Sequence, residues 1–158
     1  FKTLELTGGI DIPKLVTQLI QIKEARNVKV EISSNFQLSV KSNRVAVESI
    51  ISNLIDNAIE HGKTDTEILV NLGVNSSSNV YLRVTNKVGT EVNEDDLKHM
   101  FEPLWQKDAS RTSEDNFGLG LSIVNALCDA VCAEVSVTKT TEEDISFLLT
   151  FKNETIGP

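Results

Sequence analysis

Basic residues are scarce: Lys and Arg number 15 against 23 Asp and Glu, and the formal net charge is −8. A nucleic-acid binder needs a basic stripe to neutralise phosphates, and no cluster of Lys and Arg supplies one. The same shortage argues against direct contact with an anionic membrane. A small anionic ligand stays open, because a metal ion and local backbone N–H groups can hold one despite the overall charge. Cysteine is scarcer still. Cys128 and Cys132 cannot build a disulfide framework; four residues apart on an expected helix, they read as packed core thiols, with no His or second cysteine pair close in sequence to complete a zinc site. No run of about 18 apolar residues exists to cross a membrane. No basic segment followed by an apolar one opens the chain as a signal peptide would. The sequence starts at Phe1 rather than at a methionine, and we expect an excised piece of a longer protein.

Apolar residues are 40% and charged residues 24% of the 158 positions, the balance of one globular domain. No internal repeat or interior linker is evident. Residues 2–6 read as a short edge strand. Asp11 is the expected N-cap of a helix with Pro13 in its first turn, running to about Arg26. Alternation at Val28, Val30 and Ile32, then at Phe36, Leu38 and Val40, predicts a pair of strands around Ser33-Ser34-Asn35. A helix is expected from about Asn43 to His61, stopped by Gly62. Ile68 to Val74 and Val80 to Val84 alternate on either side of Asn75-Ser76-Ser77-Ser78-Asn79, a hairpin loop. Residues 87–117 are polar and irregular, with at most one short helix near 93–100. A helix from Gly118 to about Ala133 and a hairpin (Val135 and Val137, then Ile145 to Phe151) close the chain. Each strand has one apolar face and three amphipathic helices can cover it, so the expected fold is an α/β two-layer sandwich with helices on one side of a mixed sheet. An irregular stretch as long as 87–117 is normally disordered or a functional lid.

Three segments carry polar residues in unusual places. On the helix over 43–61, Val47, Ile50, Ile51, Leu54, Ile55, Ala58 and Ile59 form one apolar arc, and Asn53, Asn57 and His61 run along a stripe beside it. Asn is a poor mid-helix residue, so the stripe suits either a ligand or solvated polar positions. Asn86 shares the strand parity of Val80, Leu82 and Val84, so its amide should point inward, where it needs a partner: the backbone of its own turn or a ligand. Gly89 would let a ligand approach the backbone. Finally, Gly118-Leu119-Gly120-Leu121 opens a helix. Its free N–H groups and positive dipole end suit a triphosphate, and a tight turn would use the same glycines.

Taken together and in this order, the segments resemble the ATP-binding domain of sensor histidine kinases, a family shared with gyrase-type and heat-shock-chaperone ATPases. Asn53-Leu-Ile-Asp-Asn57-Ala-Ile-Glu-His61 is similar to its N box, Phe101-Glu102-Pro103-Leu104-Trp105 to its F box and Gly118-Leu119-Gly120-Leu121 to its G2 box. Asp108-Ala-Ser-Arg111-Thr-Ser is similar to lid sequences between the last two. The resemblance covers nearly the whole chain and implies one Bergerat-fold domain over 1–158, with an ATP lid at about 87–117. It implies ATP and Mg²⁺ as ligands, with Asn57 on the metal and Asn53 supporting metal and phosphates. His61 would lie near ribose or phosphate, and Asn86 at the adenine amine beside Gly89. Gly118, Leu119, Gly120 and Leu121 would wrap the phosphates, with Lys107 and Arg111 as lid cations. Phe101 and Trp105 would anchor the closed lid.

The implied activity is transfer of the ATP γ-phosphate to a histidine on an adjoining dimerisation domain, for relay to a response-regulator receiver domain in the cytoplasm. The only histidines here are His61 and His99, and neither is followed by the pattern of a phosphoacceptor helix. No catalytic residue is therefore assigned to this chain, and no autophosphorylation of it alone is expected. Two other departures stand out. Asn86-Lys87-Val88-Gly89-Thr90 replaces the usual Asp-x-Gly-x-Gly of the G1 box, and Gln106 stands where a basic residue often follows the lid aromatic. The eroded G1 box keeps a non-catalytic nucleotide-sensing module open as an alternative, beside an anti-sigma-type serine kinase of the same superfamily.

Overall fold

A computed structural model describes residues 4–88, 92–102 and 118–152. The element order is β1 (Gly8–Asp11), α1 (Ile12–Ile22), β2 (Val28–Ile32), β3 (Ser39–Ser42), α2 (Arg44–His61), β4 (Ile68–Val74), β5 (Val80–Lys87), α3 (Glu94–Leu97), α4 (Gly118–Ala130), β6 (Ala133–Lys139) and β7 (Asp144–Phe151). A five-stranded sheet has the order β2-β4-β5-β7-β6, and β1 pairs with β3 in a separate two-stranded ribbon. β2 runs parallel to β4, while the other pairs are antiparallel. The mixed sheet and the helical layer are the architecture the sequence predicts.

Period-2 patterning decides which face is covered. In β5, Val80, Leu82, Val84 and Asn86 are buried, whereas Arg83 and Lys87 are exposed. β7 turns Ile145, Phe147, Leu149 and Phe151 to the same buried side. Against this face α2 presents Val47, Ile50, Ile51, Leu54, Ile55 and Ala58, all 0% exposed. Burial of each of the larger side chains contributes about 1.5–3 kcal/mol, so the rotation of α2 about its axis is tightly set. α4 adds Leu121, Val124 and Cys128 to the same core, and burial pushes the Cys128 thiol up to about 12. Among the described residues no helix is long and apolar enough to cross a membrane.

Several expectations need correction. Residues 4–7 are not a strand (residues 2–3 lie outside the described residues). Leu4 and Leu6 stay exposed, and the first strand is β1, anchored by Ile10 at 1% exposure opposite Val40. The segments around Ser33-Ser34-Asn35 do not pair with one another: β2 joins the large sheet beside β4, and β3 joins β1. Phe36, expected in the second of these strands, is 76% exposed and lies outside any element. Alternation reports a half-buried strand but not its partner, and the parallel β2–β4 pair requires the crossover that β3 and α2 provide. α1 ends at Ile22, not near Arg26, because the chain turns through a left-handed Glu24 (φ 54°) while the Ala25 N–H donates to the Ile20 carbonyl at 3.2 Å. α4 likewise stops at Ala130, before a left-handed Cys132 (φ 57°) that leads into β6.

Leu82 is fully buried at the centre of the sheet, between β4 and β7. Leu82→Ala is expected to lower stability by about 2–5 kcal/mol through lost transfer energy and the residual cavity. Urea denaturation of the two proteins measures this.

Candidate functional site

α2 is capped by Asn43, whose side chain accepts from the Ala46 N–H at 3.0 Å. Its apolar arc faces the sheet, so the stripe of Asn53, Asn57 and His61 faces sideways. The Asn53 Nδ2 donates back to the Ser49 carbonyl at 2.8 Å and to Ser49 Oγ at 3.3 Å. That leaves Oδ1 as a spare acceptor, turned toward the first turn of α4: a Cβ added to Gly120 would lie 3.1 Å from it. One turn later Asn57 is 7% exposed, and its carboxamide has no hydrogen-bond partner among the described residues. Its amide atoms remain open to solvent along the seam, since among the described residues the buried polar atoms without a partner are Ser42 Oγ and Asn86 Oδ1. His61, the last residue of α2, is half-buried. On the flank toward α1, Lys23 holds the helix from the other side, its Nζ 2.7 Å from Asp56 Oδ1 and 2.8 Å from Ser52 Oγ.

Where α2 ends it meets the end of β5. Asn86 is 2% exposed, and its Oδ1 is buried with no partner. Its Nδ2 makes one long donation, 3.4 Å, to the Lys87 carbonyl. Gly62 is needed here for space: a Cβ would stand 2.6 Å from the Ala58 carbonyl oxygen and 3.3 Å from Asn86 Nδ2. Three segments are fastened around this point. The Lys63 N–H donates to the Lys87 carbonyl at 2.8 Å, and the Val88 N–H to the Glu143 carbonyl at 2.6 Å. Lys63 Nζ reaches Glu143 Oε1 at 2.7 Å, and Lys87 Nζ reaches Asp144 Oδ1 at 3.2 Å. The hydrogen bond and charge of Lys63 hold the Glu143 carboxyl below its ordinary range. These ion pairs are solvent-exposed and contribute little to stability; the backbone bonds set the geometry.

The expected site residues therefore separate into groups. Asn53 and Gly120 are neighbours, Asn86 and the end of α2 are neighbours, and Asn57 and His61 lie between them on one stripe. Nine residues of helix separate Asn53 from Gly62, about 13 Å of rise. Gly118, Leu119 and Leu121 belong to the first turn of α4. The Leu121 side chain is 1% exposed in the core, so it has only its backbone to offer a ligand. Gly89, Lys107 and Arg111, with Trp105 and Gln106, lie outside the described residues. Phe101 packs edge-on against Phe147 with centroids 6.1 Å apart. Sequence reasoning took Gly62 only as a helix stop and missed its steric part beside Asn86; a glycine after a helix carries no signal that separates the two roles. It also missed Lys139, whose Nζ donates to the Val92 carbonyl at 2.6 Å and ties the approach to α3 onto β6.

Chemically, the arrangement is a polar seam between α2, the end of β5 and the start of α4. It offers an unpaired buried acceptor at Asn86, the solvent-accessible carboxamide of Asn57, and helix N–H groups at α4. Among the described residues no group of three or more His, Cys, Asp or Glu could hold a metal ion, so a cation here would rely on carboxamide oxygen and on oxygens of its own ligand.

A family model described as histidine kinase-, DNA gyrase B-, and HSP90-like ATPase matches residues 42–155, and the chain belongs to that family. Over 143 residues it is 28% identical to the sensor protein VanSC of Enterococcus gallinarum, an alignment covering 86% of this chain and 37% of that protein. The chain thus spans little more than a third of that relative's length. Its fold is that of the catalytic domain of the histidine kinase ThkA (TM-score 0.75, 19% identity, 94% of this chain and 95% of that one). It also matches full-length ShkA solved in complex with AMPPNP (TM-score 0.74, 21% identity, 94% of this chain and 32% of that one).

His99 and Glu102 flank the described end of the F-box segment, with Nδ1 2.8 Å from Oε1. The hydrogen bond and charge of Glu102 raise the His99 imidazole above its usual 6.5. A raised value means the pair stabilises the fold fully below the unfolded-state pKa, and that this contribution fades as pH climbs through the folded-state value. NMR titration should find His99 with a pKa above 6.5, and Glu102→Gln should bring it back toward 6.5.

Proposed function

We propose that this chain is the ATP-binding catalytic domain of a sensor histidine kinase, forming one domain over 1–158 with its lid within residues 87–117. The observation that carries the reading is the buried, unpartnered Oδ1 of Asn86 at one end of a seam that runs past the Asn57 carboxamide to the glycine-opened N-terminus of α4. Such an acceptor is costly unless a ligand satisfies it. A magnesium nucleotide fits the set. The Asn86 Oδ1 accepts from the base, the Asn57 oxygen ligates the metal, and Asn53 supports metal and phosphates. His61 lies beside ribose or phosphate. The backbone of Gly118, Leu119, Gly120 and Leu121 meets the phosphates with the dipole of α4 behind it, and Gly89, Lys107 and Arg111 complete the contacts from the lid. Mg²⁺, when bound, neutralises phosphate charge and polarises the group to be transferred.

The residues of this chain bind, orient and exclude water; positioning is most of what phosphoryl transfer requires of a protein. The acceptor is a histidine on a dimerisation domain of the same parent protein, and a response-regulator receiver domain takes the phosphoryl group from it, on the cytoplasmic side. VanSC, a sensor protein, and ShkA, crystallised with AMPPNP, support this reading. So does the absence of a phosphoacceptor pattern at either His61 or His99.

Calorimetry with ATP, with and without Mg²⁺, tests the reading. The wild-type chain should bind in the micromolar range or more weakly, and at full strength only with Mg²⁺. Asn57→Ala should remove most of the metal dependence while leaving the unfolding midpoint nearly unchanged. Equal dependence on Mg²⁺ in both proteins would contradict the assignment, and so would a stable phosphohistidine on the isolated chain by intact mass.

A further inference from the structure

A carboxylate at the end of β5 could only accept a hydrogen bond. Asn86 carries an acceptor and a donor on opposite sides of one planar group, exchanged by a half-turn about its last side-chain torsion. The surroundings hold that torsion weakly. Oδ1 has no partner, and the only hydrogen bond of Nδ2 among the described residues is the 3.4 Å donation to the Lys87 carbonyl. That distance lies at the outer limit of a hydrogen bond, so reversing the amide forfeits little. Two per cent exposure also means that water does not stand in for a missing partner. Whatever purine edge meets Asn86 must therefore satisfy it, and the amide can turn to suit either polarity. A purine held in one pose presents at position 6 an amine in adenine or a carbonyl in a 6-oxopurine.

We infer that Asn86 makes this seam accept 6-oxopurine nucleoside triphosphates as well as ATP. The inference rests on the nucleotide reading above and adds the substrate class. In the orientation observed, Oδ1 receives the amine of adenine. In the reversed one, Nδ2 donates to the carbonyl of the 6-oxopurine at the cost of one weak contact with Lys87. A full-strength neutral hydrogen bond corresponds to about a tenfold change in affinity, so tenfold is the upper bound on the preference for ATP that Asn86 imposes.

The test is calorimetric titration of the whole chain with MgATP and MgITP. ITP carries the carbonyl at position 6 without the second exocyclic amine of guanine. The expected result is ITP binding within tenfold of ATP in the wild type. In Asn86→Asp, the ATP-to-ITP ratio should widen by at least tenfold, through loss of ITP, because a carboxylate has no proton to donate. Wild-type binding of ITP more than tenfold weaker than ATP would overturn the inference, as would an unchanged ratio in a folded Asn86→Asp protein. If that variant fails to fold, the wild-type ratio decides alone. A folded wild-type chain that binds neither nucleotide would instead refute the nucleotide reading itself, a result distinct from ATP binding with ITP refused.

Discussion

The rotation of α2 is the constraint on which the site depends. Its arc of Val47, Ile50, Ile51, Leu54, Ile55 and Ala58 is sealed against β4, β5 and β7, and any turn of the helix would drag several of these side chains into water. With the arc fixed, the helical repeat leaves Asn53 and Asn57 one place to go, the seam beside α4. Lys23 locks the other flank through Asp56 and Ser52. The hydrophobic core thus aims polar groups that contribute nothing to it.

The acceptor at the end of β5 is a local loss of stability. The Oδ1 of Asn86 is desolvated without a protein partner, against the general rule that buried polar groups are paired. The fold tolerates it because its surroundings are over-determined. α2 ends at Gly62, pressed against the Ala58 carbonyl, and the end of β5 is bonded to Lys63 on one side and to the β6–β7 turn on the other. Violations of this kind, held rigidly by a well-packed frame, are where function is expected to sit. The family match over residues 42–155 spans α2, β5 and α4, the elements that meet at this seam.

Much of this was legible in the sequence, and the failures have physical causes. The arc and stripe of α2 follow from 3.6-residue periodicity, which the core enforces. The inward position of Asn86 follows from strand parity, and its buried, unpaired oxygen matches it. The ribbon and the β2–β4 pairing were not legible, since alternation at Val28 to Ile32 is the same whether the neighbour is β3 or β4. The ends of α1 and α4 were misjudged because Glu24 and Cys132 take left-handed backbones that side chains of their type rarely adopt, so composition gave no warning. The clearance at Gly62 depends on two segments meeting at a distance in sequence, which no local pattern records.

The central claim is that a nucleotide satisfies the carboxamides along α2 and at the end of β5. Side-chain amide NMR on adding Mg²⁺ and AMPPNP tests it most directly. The account predicts that the Asn57 and Asn86 carboxamide signals move on titration, while Asn71, outward-facing on β4 opposite Arg83, stays in place. Carboxamide signals of Asn57 and Asn86 that are unchanged at saturating nucleotide would contradict it.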